Sequence, residues 1–272
     1  MIGVALVRAI HAGTIKLTLG GVALGDSWIS PEDFALSYAQ LLHTVSRLND
    51  IAVGGANKMA EMVKEQIAAG QFAVAQKTWT DLLDLIDSQS DSVNMNNFLL
   101  DTGMNPVLAS SSAKASGSAP NTIEGIMNGV IKKKLKIIPK DIVWQEATLD
   151  VYEELANDFM KPAINEVDEL LTYGVNVTVY NGQLDVICPT VGVEAWVNKL
   201  KWVGLNNFLS LRRQPLHFCD SAPVYCSKLI KAYVRSYKNL HFYWILGAGH
   251  MVPVDQPYTA FRMIASTTQS PG

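Results

Sequence analysis

The sequence predicts an α/β protein with a mostly parallel β-sheet and a long insertion of helices. Residues 15–24 form a short apolar run that is typical of a buried strand, and from residue 32 the apolar positions recur at helical spacing. After residue 174, predicted strands and helices alternate again. Such alternation favours a parallel sheet, in which ligand-binding groups gather at the carboxyl ends of the strands.

The elements before residue 122 follow from local signals. The strand at residues 15–24 is followed by a turn at residues 25–27, and Pro31 can open a helix because the first turn needs no N–H there. Helices are predicted over residues 32–86. Serine, glycine and proline dominate residues 102–121, so we expect an exposed, mobile loop there.

The second half begins with helices and returns to the sheet. Helices are predicted at residues 123–135 and 149–171, with Gly174 as the stop signal. The later elements are a strand at 175–180, a loop at 181–189, a helix at 193–201, a strand at 240–246 and a last helix from about Tyr258. Two loops that carry polar residues therefore leave the carboxyl ends of strands.

Composition excludes several classes of protein. An apolar content of 49% over 272 residues can supply a large core, whereas a net charge of -3 and 17% charged residues offer no broad cationic surface for nucleic acid. The basic run at residues 132–136 is expected to be a solvated helix face. No apolar run is long enough to span a bilayer, because Arg8, His11 and Lys16 interrupt the N-terminal stretch.

Targeting signals leave the compartment open. Residues 1–8 lack a basic leader, which indicates either an intracellular protein or a missing beginning. Cys188, Cys219 and Cys226 are too few for a disulfide scaffold, although the last two can close a small loop. Asn176 begins a possible glycosylation triplet, which slightly favours the secretory route.

An acid and a histidine follow the two late strands. Asp185 comes after the first strand and His250 after the second, the chain order in which an α/β-hydrolase places the last two members of its Ser-Asp-His triad. His250 would be the general base, and Asp185 would hold its tautomer. Alternatively, Asp185 caps a turn and His250 is a hydrogen-bonded loop histidine. Their joint position favours the catalytic interpretation.

A nucleophile is not found by the same reasoning. No Gly-x-Ser-x-Gly elbow precedes Asp185 in this sequence. Ser27 comes nearest, but Ile29 fits such a bend badly, and the serines at residues 110–118 follow no strand. The five histidines show no metal-ligand spacing, and no dinucleotide-binding glycine motif follows a strand, so we expect no metal and no cofactor.

Several segments together resemble the serine carboxypeptidase family. Residues 247–257 (GAGHMVPVDQP) are similar to its histidine signature, and residues 180–188 (YNGQLDVIC), continued by 192–196 (GVEAW), to its aspartate signature. Residues 128–139 resemble its cap segment, and residues 22–31 the strand and turn after the nucleophile helix. The resemblance covers nearly the whole chain and, through residues 132–139 and 236–246, is greatest for the retinoid-inducible branch.

The resemblance implies the C-terminal part of an α/β-hydrolase fold with an inserted helical cap. Residues 1–31 and 171–272 would form the hydrolase core, and residues 32–170 the cap. It implies a peptide substrate, release of C-terminal residues at acidic pH, catalytic roles for Asp185 and His250, and a place for Met251 near the substrate's end. A secreted or lysosomal location follows from the family alone.

Three hypotheses remain open at this point. The first is a serine carboxypeptidase of which this sequence is an incomplete C-terminal portion, inactive by itself because the serine and the family's Asn-Gly-Gly-Pro-Gly segment are absent. The second is a non-catalytic protein that binds a peptide or a partner. The third is acyl transfer to an alcohol, which needs the same serine. A homo-oligomer and a monomer are equally open.

Overall fold

A computed structural model describes residues 1–101, 123–145, 148–217 and 229–269. The first strand, β1 (Val22–Gly25), is preceded by helix α1 (Ile2–His11). Three helices that pack against one another in chain order follow: α2 (Pro31–Thr44), α3 (Asp50–Ala68) and α4 (Phe72–Gln89). The predicted helices over residues 32–86 are thereby confirmed, whereas the loop predicted at 102–121 lies outside the described residues.

The remaining helical elements are short. Residues 123–135 consist of α5 (Ile123–Ile126), a π-helical turn (Met127–Ile131) and α6 (Lys132–Leu135). The single helix predicted at 149–171 is wrong, because the structure has α7 (Leu149–Glu154) and α8 (Ile164–Thr172) instead. Pro162 lies between them. A proline has no N–H to donate to a helical hydrogen bond, and its ring would clash with the preceding turn of a continuous helix.

The C-terminal part returns to the sheet. Its strands are β2 (Val177–Gly182), β3 (Gln214–Leu216), β4 (Ala232–Tyr237) and β5 (Leu240–Ile245). Its helices are α9 (Thr190–Val197), α10 (Leu205–Ser210), α11 (Val252–Asp255) and α12 (Pro257–Thr268). No helix in these described ranges is long and apolar enough to cross a membrane.

The five strands form one mixed sheet in the order β1-β2-β5-β4-β3. Strands β1, β2 and β5 are parallel, whereas β4 and β3 extend the sheet in the antiparallel direction. The α/β class is therefore confirmed, but the antiparallel extension was not predicted. The strand expected at 15–24 is wrong for residues 15–21, because Val22 is the first residue that pairs with β2 and the side chains of Ile15 and Leu17 are exposed.

The larger of two hydrophobic clusters among the described residues joins the sheet to the helices and includes Val4 of α1, Leu82 of α4 and Trp196 of α9. The smaller cluster includes Ile245 of β5 and Met263 of α12. Helix α2 packs against α9, and the ring of Trp28 stacks on that of Phe159 with centroids 5.3 Å apart. The predicted division into segments 1–31, 32–170 and 171–272 stays a prediction.

Candidate active site

Asp185 lies in the loop between β2 and α9, which we call the Asp loop (residues 183–189). Its carboxylate is fully buried, and its Oδ1 accepts a hydrogen bond from the Cys188 backbone N–H at 3.1 Å. Its Oδ2 lies 2.9 Å from Nδ1 of His250. The turn is tightened by a bond from the Asp185 N–H to the Gly182 carbonyl. Asp185 is thus held by contacts on both oxygens.

His250 lies in the loop between β5 and α11, which we call the His loop (residues 246–251). Gly247 begins the turn with a φ of +67°, a left-handed conformation that glycine adopts without strain. The His250 side chain is 27% exposed. Because β2 and β5 are parallel neighbours, both loops leave the same edge of the sheet, which explains how residues 65 positions apart meet.

Direct backbone contacts lock the two loops together. The Leu184 N–H donates to the Ala248 carbonyl at 2.8 Å. A Cβ on Gly182 would lie only 2.1 Å from the Gly249 carbonyl oxygen, so glycine is the residue that permits this approach. The geometry of the Asp185–His250 pair is therefore built into the main chain.

A third piece of chain, the bridging segment (residues 93–98), contacts both loops. The Met95 carbonyl accepts from the N–H groups of Val186 and Ile187, and the Asn96 carbonyl accepts from the His250 N–H at 2.7 Å. The bridging segment follows α4 and was not identified from the sequence. Its asparagine-rich composition indicates a turn but does not indicate which loops it contacts.

Burial controls the electrostatics of the site. Burial raises the pKa of Asp185, while the hydrogen bond and charge of His250 oppose that rise. Burial, followed by the charge of Asp185, raises the pKa of Asp26 to about 9. Asp26 directly follows β1, as Asp185 follows β2, and this matching position is the sequence signal that could have identified it.

Asp185, Cys188 and His250 bring three potential metal-ligand atoms within 4.8 Å of one another. Spacing among the histidines could not have shown this cluster. Burial and the charges of Asp185 and Asp26 raise the pKa of the Cys188 thiol, so it stays protonated and is a poor ligand. Both Asp185 oxygens already have hydrogen-bond partners. The donor set therefore fits a hydrogen-bonded pair better than a metal centre.

The other residues singled out from the sequence take no part in the contact between Asp185 and His250. Met251 follows His250 and is 41% exposed, and its substrate role stays a prediction. The Ser27 hydroxyl donates to the Gly25 carbonyl at 3.1 Å, as expected for a turn residue. Asn176 is exposed just before β2 and its amide donates to the Gly20 carbonyl. Cys219 and Cys226 lie outside the described residues.

The fold and the pair together define a class. A sheet whose parallel strands end in an acid-bearing and a histidine-bearing loop is the α/β-hydrolase arrangement. The crystal structure of Kex1Δp, a prohormone-processing carboxypeptidase from Saccharomyces cerevisiae, has the same fold, with a TM-score of 0.74 over 97% of this chain and 58% of that one at 22% sequence identity.

The chain belongs to the serine carboxypeptidase family, whose sequence model matches residues 1–270. It is 50% identical to serine carboxypeptidase-like 51 of Arabidopsis thaliana, over 99% of this chain and 62% of that protein. It is 42% identical to human retinoid-inducible serine carboxypeptidase, over 98% of this chain and 61% of that protein. The predicted resemblance is confirmed, and the chain spans about three fifths of the length of these relatives.

Proposed function

We propose that this chain supplies the aspartate and the histidine of the catalytic triad of a serine carboxypeptidase that releases C-terminal residues from peptides. The observation that carries the proposal is the 2.9 Å contact between His250 Nδ1 and Asp185 Oδ2 at the ends of neighbouring parallel strands. Family membership supplies the reaction class. Met251, next to His250, is proposed to lie near the end of the substrate.

Each residue has a defined part in the reaction. With Nδ1 facing Asp185, His250 has Nε2 available to take the proton of a serine hydroxyl as that oxygen attacks the scissile carbonyl. The resulting imidazolium returns the proton to the leaving amine, and the Asp185 carboxylate stabilises the cation. Water then attacks the acyl group on the serine. His250 takes the proton of that water and returns it to the serine oxygen as the acyl group leaves.

The nucleophile is the second part of the proposal. The 272 residues contain no Gly-x-Ser-x-Gly elbow, so we propose that they do not hydrolyse peptides by themselves. The same observation favours one alternative, a non-catalytic protein of this fold that binds a peptide or a partner. Acyl transfer to an alcohol needs the same serine and is separated from hydrolysis only by its products.

The test begins with the transcript, read upstream of the Met1 codon in the same frame. The longest product and the 272-residue chain are both expressed and assayed for release of the C-terminal residue from a blocked dipeptide at acidic pH, with and without an added alcohol. We expect activity from a product that contains an elbow serine and none from the 272-residue chain. Hydrolysis by the 272 residues would contradict the proposal, and an upstream stop codon would favour the binding alternative.

The roles of the pair are tested in the active product. We expect His250→Ala and Asp185→Asn to lower kcat by roughly 10³-fold or more. His43→Ala is the matched control, because His43 also faces an aspartate, Asp50, at 2.9 Å but on the surface. The control should stay within about twofold of the parent. Full activity of His250→Ala would refute the assignment.

A secreted or lysosomal location is proposed from family membership. The exposed position of Asn176 is compatible with glycosylation there, although its amide also donates to the Gly20 carbonyl. Glycosidase treatment of the natural protein, compared with an Asn176→Gln variant, measures whether a glycan is present. An unchanged mass in both would remove this support.

A further inference from the structure

Asp26 is a buried acid next to the pair that the proposed reaction does not use. It follows β1, the strand beside β2, and only 7% of its surface is exposed. Its backbone has a φ of +43°, in the left-handed region that non-glycine residues seldom adopt. Strain and burial of a charged group both cost free energy, and residues that carry such costs cluster at functional sites.

The contacts of Asp26 aim its carboxyl group at the Asp loop. The Gly182 N–H, 156 residues away, donates to Asp26 Oδ1 at 2.8 Å, and the Gly182 carbonyl accepts from the Asp185 N–H. The Gly182 peptide group therefore lies between the two buried acids, and the charge of Asp185 raises the pKa of Asp26. Like charges that are buried so near each other disfavour ionisation of both acids, so one of them keeps a proton.

Unequal surroundings decide which acid carries the proton. Asp185 accepts hydrogen bonds on both oxygens, from the Cys188 N–H and from His250, and both contacts favour its ionised form. Asp26 Oδ1 accepts from the Gly182 N–H, and no N–H of the described residues donates to its other oxygen, which can therefore hold a proton. Burial and the negative charge of Asp185 both raise the pKa of Asp26.

The titratable groups around the two acids come from several elements. Tyr180 of β2 is near Asp26, Cys188 of the Asp loop is near both acids, and Tyr38 of α2 is near Asp185. Burial raises the pKa of each of these three, so they stay neutral near pH 7. His250 is the cation that forms during the proposed reaction, and it faces Asp185.

We propose that Asp26 is a positioning residue that stays protonated in the folded protein and donates a hydrogen bond to the Asp185 carboxylate. Asp26, Asp185 and His250 then form a hydrogen-bonded line across the ends of β1, β2 and β5. The donor fixes the rotamer of Asp185 and lowers the charge density on the oxygens that face His250. This inference rests on the proposed triad roles of Asp185 and His250.

The first measurement detects the proton itself in the 272-residue chain. Difference infrared spectroscopy between pH 5 and pH 10 should show a protonated-carboxyl C=O band that persists at pH 7 and is lost near pH 9. Asp26→Asn should remove this band. Asp33→Asn is the matched control, because Asp33 is also buried but is paired with Lys199 at 2.8 Å, and this variant should keep the band. Absence of the band in the parent, or its survival in Asp26→Asn, would overturn the proposal.

The second measurement tests positioning, by the downfield NMR resonance of the His250 Nδ1 proton. Asn can accept from Gly182 and donate to Asp185, so Asp26→Asn should keep this resonance in place, whereas Asp26→Ala should shift or broaden it. An unchanged resonance in a folded Asp26→Ala variant would reduce Asp26 to a structural role. If that variant does not fold, the infrared comparison of Asp26→Asn with Asp33→Asn still tests whether Asp26 carries the proton. Neither readout needs hydrolysis, so inactivity of a longer product that contains an elbow serine would refute the proposed function without refuting the proton-sharing contact.

Discussion

Two histidine–aspartate pairs in the described part of the chain have the same atom-to-atom distance. His250 Nδ1 lies 2.9 Å from Asp185, and His43 Nε2 lies 2.9 Å from Asp50. The Asp185 side chain is fully buried, whereas that of Asp50 is 95% exposed. Water screens the second pair, because its aspartate is almost fully exposed. Distance alone therefore does not define a catalytic pair, since burial and a fixed main chain make the difference.

The supports of the two pairs also differ. His43 and Asp50 lie at the adjoining ends of α2 and α3, seven residues apart. His250 and Asp185 are 65 residues apart, and the bridging segment, the Asp loop and the His loop hold them through backbone hydrogen bonds. The surface pair can form from local structure, whereas the buried pair exists only in the complete fold.

The largest effect should come from breaking the backbone support of the buried pair. A Cβ at Gly249 would lie 2.1 Å from the Asn96 carbonyl oxygen, so Gly249→Ala must displace the bridging segment from the His loop. We expect a loss of more than about 3 kcal/mol in the free energy of unfolding, measured by urea titration.

The control for this change is Gly54→Ala. Nothing lies within 4 Å of a Cβ at Gly54, an exposed position in α3. This variant should gain about 0.5–1 kcal/mol, because alanine favours a helix more than glycine does. Equal effects of the two substitutions would contradict the role given to the close approach.

An intermediate effect should appear in the pH dependence of stability. An aspartate in the unfolded chain loses its proton near pH ~4, whereas Asp26 in the fold keeps its proton up to about pH 9. Between these values the folded state binds more protons, so the contribution of Asp26 to the free energy of unfolding is greatest below pH ~4 and falls as the pH rises.

Asp26→Asn removes this titration. The variant should equal the parent near pH 4 and exceed it at pH 8, by a margin that grows with pH by at most about 1.4 kcal/mol for each unit. Thermal unfolding across this pH range measures the margin. A constant difference between the variant and the parent at every pH would show that Asp26 does not hold its proton in the fold.

The smallest effect should come from the surface pair. Asp50→Asn removes a screened contact, so we expect the midpoint of denaturant unfolding to stay within experimental error. Asp185→Asn in the same chain should lower the free energy of unfolding by at least about 1 kcal/mol, because it disturbs buried hydrogen bonds. Similar results for both variants would remove the distinction between the pairs.

Local patterns were enough for much of the fold. The apolar spacing of residues 32–86 identifies α2, α3 and α4, since each helix is amphipathic within its own segment. Asp185 and His250 could be selected because each follows a predicted strand, and strand ends of a parallel sheet meet at one edge. The family was also recognisable from the segments around these two residues.

Other features depend on partners far away in the chain. Strand β1 is short because its pairing with β2 begins at Val22, and β3 and β4 are strands because they extend the sheet beyond β5. The link from the bridging segment to both loops and the approach of Asp26 to Asp185 join residues up to about 160 positions apart. By itself the sequence determined the helices of residues 32–86 and the two polar residues that follow the late strands, because those signals are local. Only the tertiary structure decided the protonation partner of Asp185 and the main-chain support of His250, because both arise from contacts between distant segments.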